Sequence, residues 1–422
     1  MNHGSGWEHT KKVGITIGLV VQKYGGSSVA TPVHIKRVAR RVVDCWNQGN
    51  QVVVVVSARG DTTDELITLA KEISPDPPER EMDMLLATGE QQSIALLAMA
   101  IQELGYAVIS LTGPQVGILT DNVHTKAKIL EVSCDRLKTE LDCGKIIIVA
   151  GFQGMTLDNE ITTLGRGGSD TTAVAVAAAL KADVCEIFTD VEGVYTADPR
   201  IVPEARKLEA ISYDEMLELA SLGALVLQPR SVEVARQYGV VLHVRTSFNN
   251  NPGTVVREVE EMEKEIVVSG VAHDLNVAKI ALFNVPDRPG IAFQIFNALA
   301  QERVNVDMII QSAMRNGHND ISFTVAKSEL HKAVAVVEKV AAVIGASGLA
   351  YDDDVAKVSI VGAGMITNPG VAARMFEALA GEGINIHLIS TSEVKVSCVV
   401  QANQVEQAVR AVHRIFDLAK CS

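Results

Sequence analysis

Residues 51–57 read QVVVVVS, five consecutive valines closed by a serine. A strand with one wet face alternates apolar and polar residues, because successive side chains point to opposite faces. An unbroken β-branched run instead needs cover on both faces, the mark of a strand inside a parallel sheet packed between helices. The flanks agree. Residues 32–47 read as a helix with Pro32 in its first turn, where the missing N–H is harmless. Residues 61–73 carry a second helical pattern that Ser74-Pro75-Asp76-Pro77-Pro78 halts. A helix is expected over 90–104, and strands over 13–21, 106–111, 145–150, 182–188 and 240–245. Alternation of this kind gives an α/β fold, three layers α/β/α around a mainly parallel sheet, over residues 13–246.

Composition narrows the function. The chain is 47% hydrophobic but only 4% aromatic, so its cores are built from small and branched side chains. A formal charge of −13 argues against nucleic acid or an acidic membrane as partner, since either needs a basic face. It does not forbid an anionic substrate, because local charge can oppose the net charge. The six cysteines are scattered, with no CxxC pair and no zinc spacing, and read as free thiols of a reducing cytoplasm. The apolar stretch 13–21 lacks a small-residue cleavage site and runs straight into Gln22-Lys23, so it reads as a buried strand rather than a signal peptide. No apolar run is expected to be long enough to span a membrane, and residues 1–12 read as a lead-in.

Residues 247–265 break the pattern. Asn249-Asn250-Asn251-Pro252-Gly253 is turn-rich and 258–265 is acidic, which marks a linker. Beyond it the sequence repeats. Val277-Ala278-Lys279-Ile280 recurs as Val355-Ala356-Lys357-Val358, Pro289-Gly290 as Pro369-Gly370, and Asn305-Val306 as Asn385-Ile386. Two ferredoxin-like βαββαβ units are expected, at 266–350 and 351–422. Units of this kind leave sheet edges that commonly pair with another copy.

Three stretches carry candidate chemistry. TTLGRGGSD, residues 162–170, sets three glycines, Arg166 and Asp170 ahead of an alanine-rich helix. The glycines leave room for a ligand, the helix start favours an anion, and the guanidinium fork suits a carboxylate or phosphate. Ser169 is placed to cap the helix. A plain well-capped helix would read the same way, and this loop alone leaves both readings open. KYGGSS, residues 23–28, follows the first strand, where ligands of parallel sheets gather. Its lysine and glycines suit phosphate, although it lacks the Walker A pattern; the alternative is a tight turn with a solvated lysine. TDVEGVYTADPR, residues 189–200, offers a ring and turn formers to a base and ribose, or is an ordinary long loop.

KYGGSS, SARGDTTDEL, TGE, GFQG, TTLGRGGSDTTA and TDVEGVYTADPR occur in that order. The ordered set resembles the aspartate kinases of the amino-acid kinase family. The repeat is similar to their paired ACT domains, with PDRPG at 286–290 and STSEVKVS at 390–397. The resemblance implies transfer of the γ-phosphoryl group of ATP, with Mg²⁺ carried mainly by the nucleotide phosphates, to the side-chain carboxylate of L-aspartate, at the head of lysine, threonine, methionine and diaminopimelate synthesis. Such a nucleophile is already ionised, so no general base is required.

By that resemblance Lys23 contacts the transferring group, with Tyr24, Gly25, Gly26 and Ser27 in the phosphate loop. Ser57 and Asp61-Thr62-Thr63 line the junction of the two substrates, with Thr63 on the aspartate side. Glu90 receives the substrate ammonium, Arg166 clamps the α-carboxylate, and Gly167, Gly168 and Ser169 shape that loop. Asp170 organises the Lys23 surroundings, while Thr189, Asp190, Tyr195, Asp198, Pro199 and Arg200 hold adenosine and phosphates. No protein metal ligand is named. Leu225 stands where the family often has a nucleotide-contacting lysine, Gln228 where a histidine is frequent, and Arg59 where a methionine is common. The resemblance further implies feedback by lysine and/or threonine. Asp287, Gly290, Asn305, Val306, Asp307 and Gln311 match the effector pocket in the first ACT copy, as do Asn385, Ile386, Ser390, Thr391 and Ser392 in the second. It implies a homo-oligomer held through the ACT units, and a separately translated regulatory half starting at Met262.

Overall fold

The computed structural model describes residues 18–223, 226–258, 267–365 and 368–419. The lead-in, Leu225 and Met262 lie outside them. The chain divides into two compact units, Met1–Glu192 with Val234–Val255, and Gly193–Glu233 with Val256–Ser422.

The first unit is built on a parallel sheet. Its elements include β1 (Leu19–Tyr24), α1 (Pro32–Asn47), β2 (Gln51–Val56), α2 (Thr62–Ile73), α3 (Glu79–Glu103) and β3 (Val108–Leu111). After the short α4 (Gly113–Val116) come β4 (Ile118–Thr120), β5 (Ile129–Val132), α5 (Asp135–Asp142) and β6 (Ile146–Ala150). Then follow β7 (Gln153–Met155), β8 (Ile161–Thr163), α6 (Gly168–Leu180) and β9 (Val184–Thr189). Across the sheet the strand Leu242–Thr246 is followed by β9, β1, β2, β6 and β3, every neighbouring pair parallel. Val52 to Val56 are all fully buried. Val52, Val54 and Val56 pack with Val38, Val42, Leu97 and Ile101 of α1 and α3, while α6 lies against β1, β2 and β9. That two-sided cover is what the valine run requires.

α3 departs from expectation. The helix anticipated at 90–104 starts eleven residues earlier, at Glu79 after Pro78. Gly89 sits inside it, where a Cβ would come 2.8 Å from that of Ala58. By length and apolarity α3 would suit a bilayer. However, Asp83 and Glu90 are buried on it, and Ile94, Leu97, Ala98 and Ile101 belong to the core. β4, β5, β7 and β8 form a separate four-stranded sheet, invisible in the sequence because strands of three or four residues show no period. Part of the stretch read as linker is ordered, holding the strand Thr254–Val256.

In the second unit the two repeats share one sheet. Its order is Val306–Gln311, His318–Val325, Gly270–Pro286, Gly348–Val361, Lys395–Gln401, Leu388–Thr391. The two long central strands run antiparallel, Gly270 opposite Val361 and Phe283 opposite Gly348. Ala278, Ile280 and Leu282 face the core of the first repeat; Val271 joins Val358, Ile360 and Val412 in the core of the second. Among the described residues no strand follows the last helix of the second repeat, Val405–Ile415, and residues 270–277 pair with that repeat's first strand. Described residues of 193–233, which the sequence reading places with the first domain, group with this unit by contact. Ala197, Ile201, Val202 and Ala205 are buried in the second repeat's core.

Candidate active site

The chain runs from β1 to β2 on one side, while β9 connects to Leu242–Thr246 on the other, so β1 and β9 flank the point where strand order reverses. Ligands of open α/β sheets bind there, beyond the carboxyl ends of the strands. Lys23 is the penultimate residue of β1. Its Nζ lies 2.6 Å from Asp170 Oδ1, with side chains 12% and 9% exposed. Two motifs 147 residues apart thus meet in one ion pair. In so dry a setting the pair holds its geometry only if nothing else displaces it, and an incoming anion would compete directly for the ammonium.

Beyond Lys23 the backbone turns tightly. The Gly25 N–H donates to Phe188 O (3.3 Å) and the Ser28 N–H to Gly25 O (3.0 Å). A Cβ on Gly25 would come 3.5 Å from Lys23 Nζ, so the glycine keeps the space before that cation clear. A Cβ on Gly26 would meet Ala58 O at 2.8 Å, and Gly60 N–H donates to Gly26 O (3.1 Å); the loops after β1 and β2 close because residue 26 has no side chain. Ser27 is exposed, while Ser57 and Thr63 are half-buried. Tyr24 corrects the sequence reading. Its ring is fully buried and stacked on Phe188 at 4.7 Å, so core packing claims the side chain and only its backbone faces the loop.

Glu90 projects from α3 toward the same loop. It is 3% exposed. Oε1 accepts from the Ala58 N–H at 2.9 Å, and Oε2 is buried with no partner. Burial drives its carboxyl up to about 7, and the Ala58 hydrogen bond offsets only part of that. A buried carboxylate with a vacant oxygen is a receptor for a cation.

The GRGGSD loop takes the form its glycines allow. Gly165 and Gly167 have φ of 77° and 71°, the left-handed region that glycine enters freely. Ser169 does not cap the helix. The cap position is Gly167, without a side-chain bond, and Ser169 is pressed into Gly151, whose Cβ would sit 2.8 Å from that of Ser169. Gly168 is equally tight, with Leu164 Cβ at 2.8 Å and Phe152 Cδ2 at 2.9 Å from its would-be Cβ. Arg166 is exposed and makes no ion pair among the described residues. It is a guanidinium fork beside an anion-friendly helix start.

Asp83 escaped the sequence reading. It is fully buried on α3 and accepts from the Thr163 hydroxyl and the Thr125 N–H (3.1 Å), with His124 Nδ1 2.7 Å away. It ties α3 to the strand that leads into Leu164–Arg166. The available signal was a lone acid inside the apolar run MDMLLA.

At the end of β9 the Thr189 hydroxyl donates to Asp190 (3.0 Å). Tyr195, Asp198, Pro199 and Arg200 lie in the second unit. Arg200 Nε and Nη2 clasp Asp198 at 3.0 and 2.7 Å, and that guanidinium holds the Asp198 carboxyl below its ordinary value. Pro199 and Arg200 are exposed. Thr196 beside them is buried, its Oγ1 3.0 Å from His413 Nε2 and from Leu418 O.

The expected effector residues separate into groups. Asp287, Gly290 and Gln311 line a cavity of about 350 Å³ at the start of the helix Ile291–Gln301. Asn319, absent from the sequence reading, lines it too, and its Oδ1 is buried without a partner. Asn305, Val306 and Asp307 are not among the lining residues. Val306 pairs with Val325 in the sheet, and Asp307 pairs with the buried Lys357 of the second repeat. Ser390 and Thr391 lie on the edge strand Leu388–Thr391, with Asn385 and Ile386 just ahead of it and Ser392 just after.

Comparison with known proteins fits this geometry. The amino acid kinase family matches residues 18–246, and the ACT domain matches 284–340 and 358–416. The aspartokinase of Mycolicibacterium smegmatis is 53% identical over 95% of this chain and 97% of its own. That of Thermus thermophilus is 52% identical over 96% and 100%. Among solved structures, E. coli aspartokinase III in complex with aspartate and ADP (R-state) is 25% identical with a TM-score of 0.81, covering 94% of this chain and 99% of its own. The aspartate kinase of Synechocystis is 49% identical with a TM-score of 0.54, covering 96% and 70%.

Proposed function

Because this chain belongs to the aspartokinases of the amino acid kinase family, we propose that it phosphorylates the side-chain carboxylate of L-aspartate with MgATP, giving 4-phospho-L-aspartate and ADP. The observation that carries the reading is the pairing of charges around one strand end. Glu90 offers a buried vacant oxygen, Arg166 is an unpaired guanidinium on a glycine loop, and Lys23, at the end of the first strand, is held on Asp170, four residues beyond that arginine. An α-amino acid has one cation and one anion to satisfy, and Glu90 and Arg166 supply the two complements.

In this reading Glu90 receives the ammonium and Arg166 the α-carboxylate, which leaves the side-chain carboxylate free to react. Lys23 moves its charge from Asp170 onto the transferring phosphoryl oxygens, while Asp170 keeps the lysine aimed. Gly26 and Ser27 offer backbone amides to phosphate, while Gly25, its own N–H given to Phe188 O, leaves open the space before Lys23 that fits such a group. Nucleotide phosphates would carry magnesium, whose part is to offset their charge. Catalysis is then positioning and charge neutralisation, with no proton to remove.

The cavity at Asp287, Gly290 and Gln311 supports an effector amino acid, lysine or threonine, with the helix start receiving its carboxylate and Asp287 its ammonium. The edge strands Val306–Gln311 and Leu388–Thr391 expose Ile309 and Ile389, which supports pairing of ACT units between copies. Placement in lysine, threonine and diaminopimelate synthesis, and in the cytoplasm, follows from the same reading. The test is incubation with MgATP, hydroxylamine and either aspartate or glutamate. Aspartyl hydroxamate is expected with aspartate alone; its absence at every ATP concentration overturns the assignment.

A further inference from the structure

A groove of about 860 Å³ opens on the α1 side of β1, β9 and the strand Leu242–Thr246. It shares no residue with the site assigned to the reaction. Its floor is the sheet face bearing Gln22, Glu186 and Phe188; α1 is one wall, and Phe248, Asn249 and Asn250 form the rim. In a protein of net charge −13 this groove is basic: Lys36, Arg37, Arg40, Arg41 and Arg245 line it against Asp44 and Glu186.

The acids offset only part of that charge. Glu186 is already taken by the Gln22 amide at 2.8 Å and Arg245 Nη1 at 3.0 Å. Lys36, Arg37 and Arg40 have no ion pair among the described residues, and Arg37 Nη2 and Arg245 Nε are buried without a hydrogen-bond partner. Like charges three and four residues apart on a helix repel, and α1 stacks four of them within one and a half turns. Buried, unsatisfied guanidinium nitrogens are the groups a folded protein ordinarily pairs.

We propose that this groove binds a compact, multiply phosphorylated small molecule. The excess positive charge calls for several negative charges on one ligand, and planar guanidinium forks match phosphate oxygens two at a time. The aromatic faces are not free to stack a base. Arg37 lies 4.8 Å over the Phe248 ring, and Arg41 and Arg245 lie 4.9 and 5.8 Å over Phe188. The ligand is therefore recognised by its phosphates and not by a nucleobase. The volume falls within the range of small-molecule sites.

The test is calorimetric titration of the full chain with tripolyphosphate, at saturating ADP and aspartate so that the reaction site is filled. Wild type is compared with the double variant Arg37→Gln/Arg40→Gln and with Lys36→Gln. Wild type should bind one equivalent per chain, and the double variant at least about tenfold more weakly, as loss of charge-assisted hydrogen bonds implies. Its aspartyl hydroxamate activity and thermal midpoint should match wild type. Equal affinity in wild type and double variant, or no binding to wild type, overturns the proposal. So does binding of poly-glutamate in place of tripolyphosphate, which would mark a surface for acidic peptide. If the chain makes no aspartyl hydroxamate but still shows the groove-dependent binding, the catalytic assignment fails and the groove stands.

Discussion

Two side chains carry the substrate assignment, and each has a distinct signature. The Glu90 carboxyl is raised from 4.5 to about 7 by burial. A folded acid with a raised value binds more protons than the unfolded chain between those two pH values, so stability falls as pH rises through that window. The loss is on the order of 3 kcal/mol. Chemical denaturation of wild type and Glu90→Gln at pH 5 and pH 8 should show the variant gaining relative stability at the higher pH. Kinetics should show the complementary effect. If ionised Glu90 receives the ammonium, kcat/KM for aspartate rises with pH through about 7, and Glu90→Gln flattens that limb and lowers its plateau. Arg166 is exposed, so Arg166→Ala should leave the thermal midpoint alone. It should lower kcat/KM for aspartate by roughly a hundredfold, about 3 kcal/mol; near-normal kinetics would show an ordinary surface arginine. The arginine, the lysine and the aspartate of this site were legible because their motifs are local. The Lys23–Asp170 contact and the burial of Asp83 were not, since both depend on which loops the sheet order brings together.

Among elements, α1 and the valine strand are the most legible. The helix spans Pro32–Asn47 with Thr31 accepting the His34 N–H at its start, as its proline and apolar period require. α3 extends eleven residues ahead of the helix expected at 90–104, and its close approach to Ala58 explains a glycine in mid-helix. The start of α6 was misread for a related reason. Serine is a strong cap in general, but Gly167 enters the left-handed region and moves the cap two residues back. Because Gly168 is wedged between Leu164 and Phe152, Gly168→Ala should cost about 1–3 kcal/mol through overpacking. It should also displace Arg166, so the aspartate KM should rise together with the drop in thermal midpoint. A lower midpoint with an unchanged KM would uncouple the helix start from the substrate.

At the scale of the molecule, the internal repeat was plain in the sequence, but its closure was not. Period and motif spacing say that two copies exist; they do not say that residues 270–277 complete the second one. A chain spanning 267–422 contains both long strands and should unfold cooperatively, whereas 347–422 lacks the strand that pairs Ala272 with Ser359. That shorter chain should aggregate through its bare edge, as followed by sedimentation. Ala197, Ile201, Val202 and Ala205 pack into the same core, so the loop read as a nucleotide contact is anchored to the second repeat. Thr196→Val strands the Arg206 N–H and His413 without their partner, at about 1–3 kcal/mol. The central claim, however, is that one aspartate is held at both ends by Glu90 and Arg166 with its side chain toward Lys23. A crystal structure of the chain with aspartate and ADP tests it most directly. The account expects the ammonium on Glu90 Oε2, the α-carboxylate on Arg166, and Lys23 between the aspartate side chain and the β-phosphate. Aspartate bound away from Glu90, with Oε2 still vacant, would contradict it.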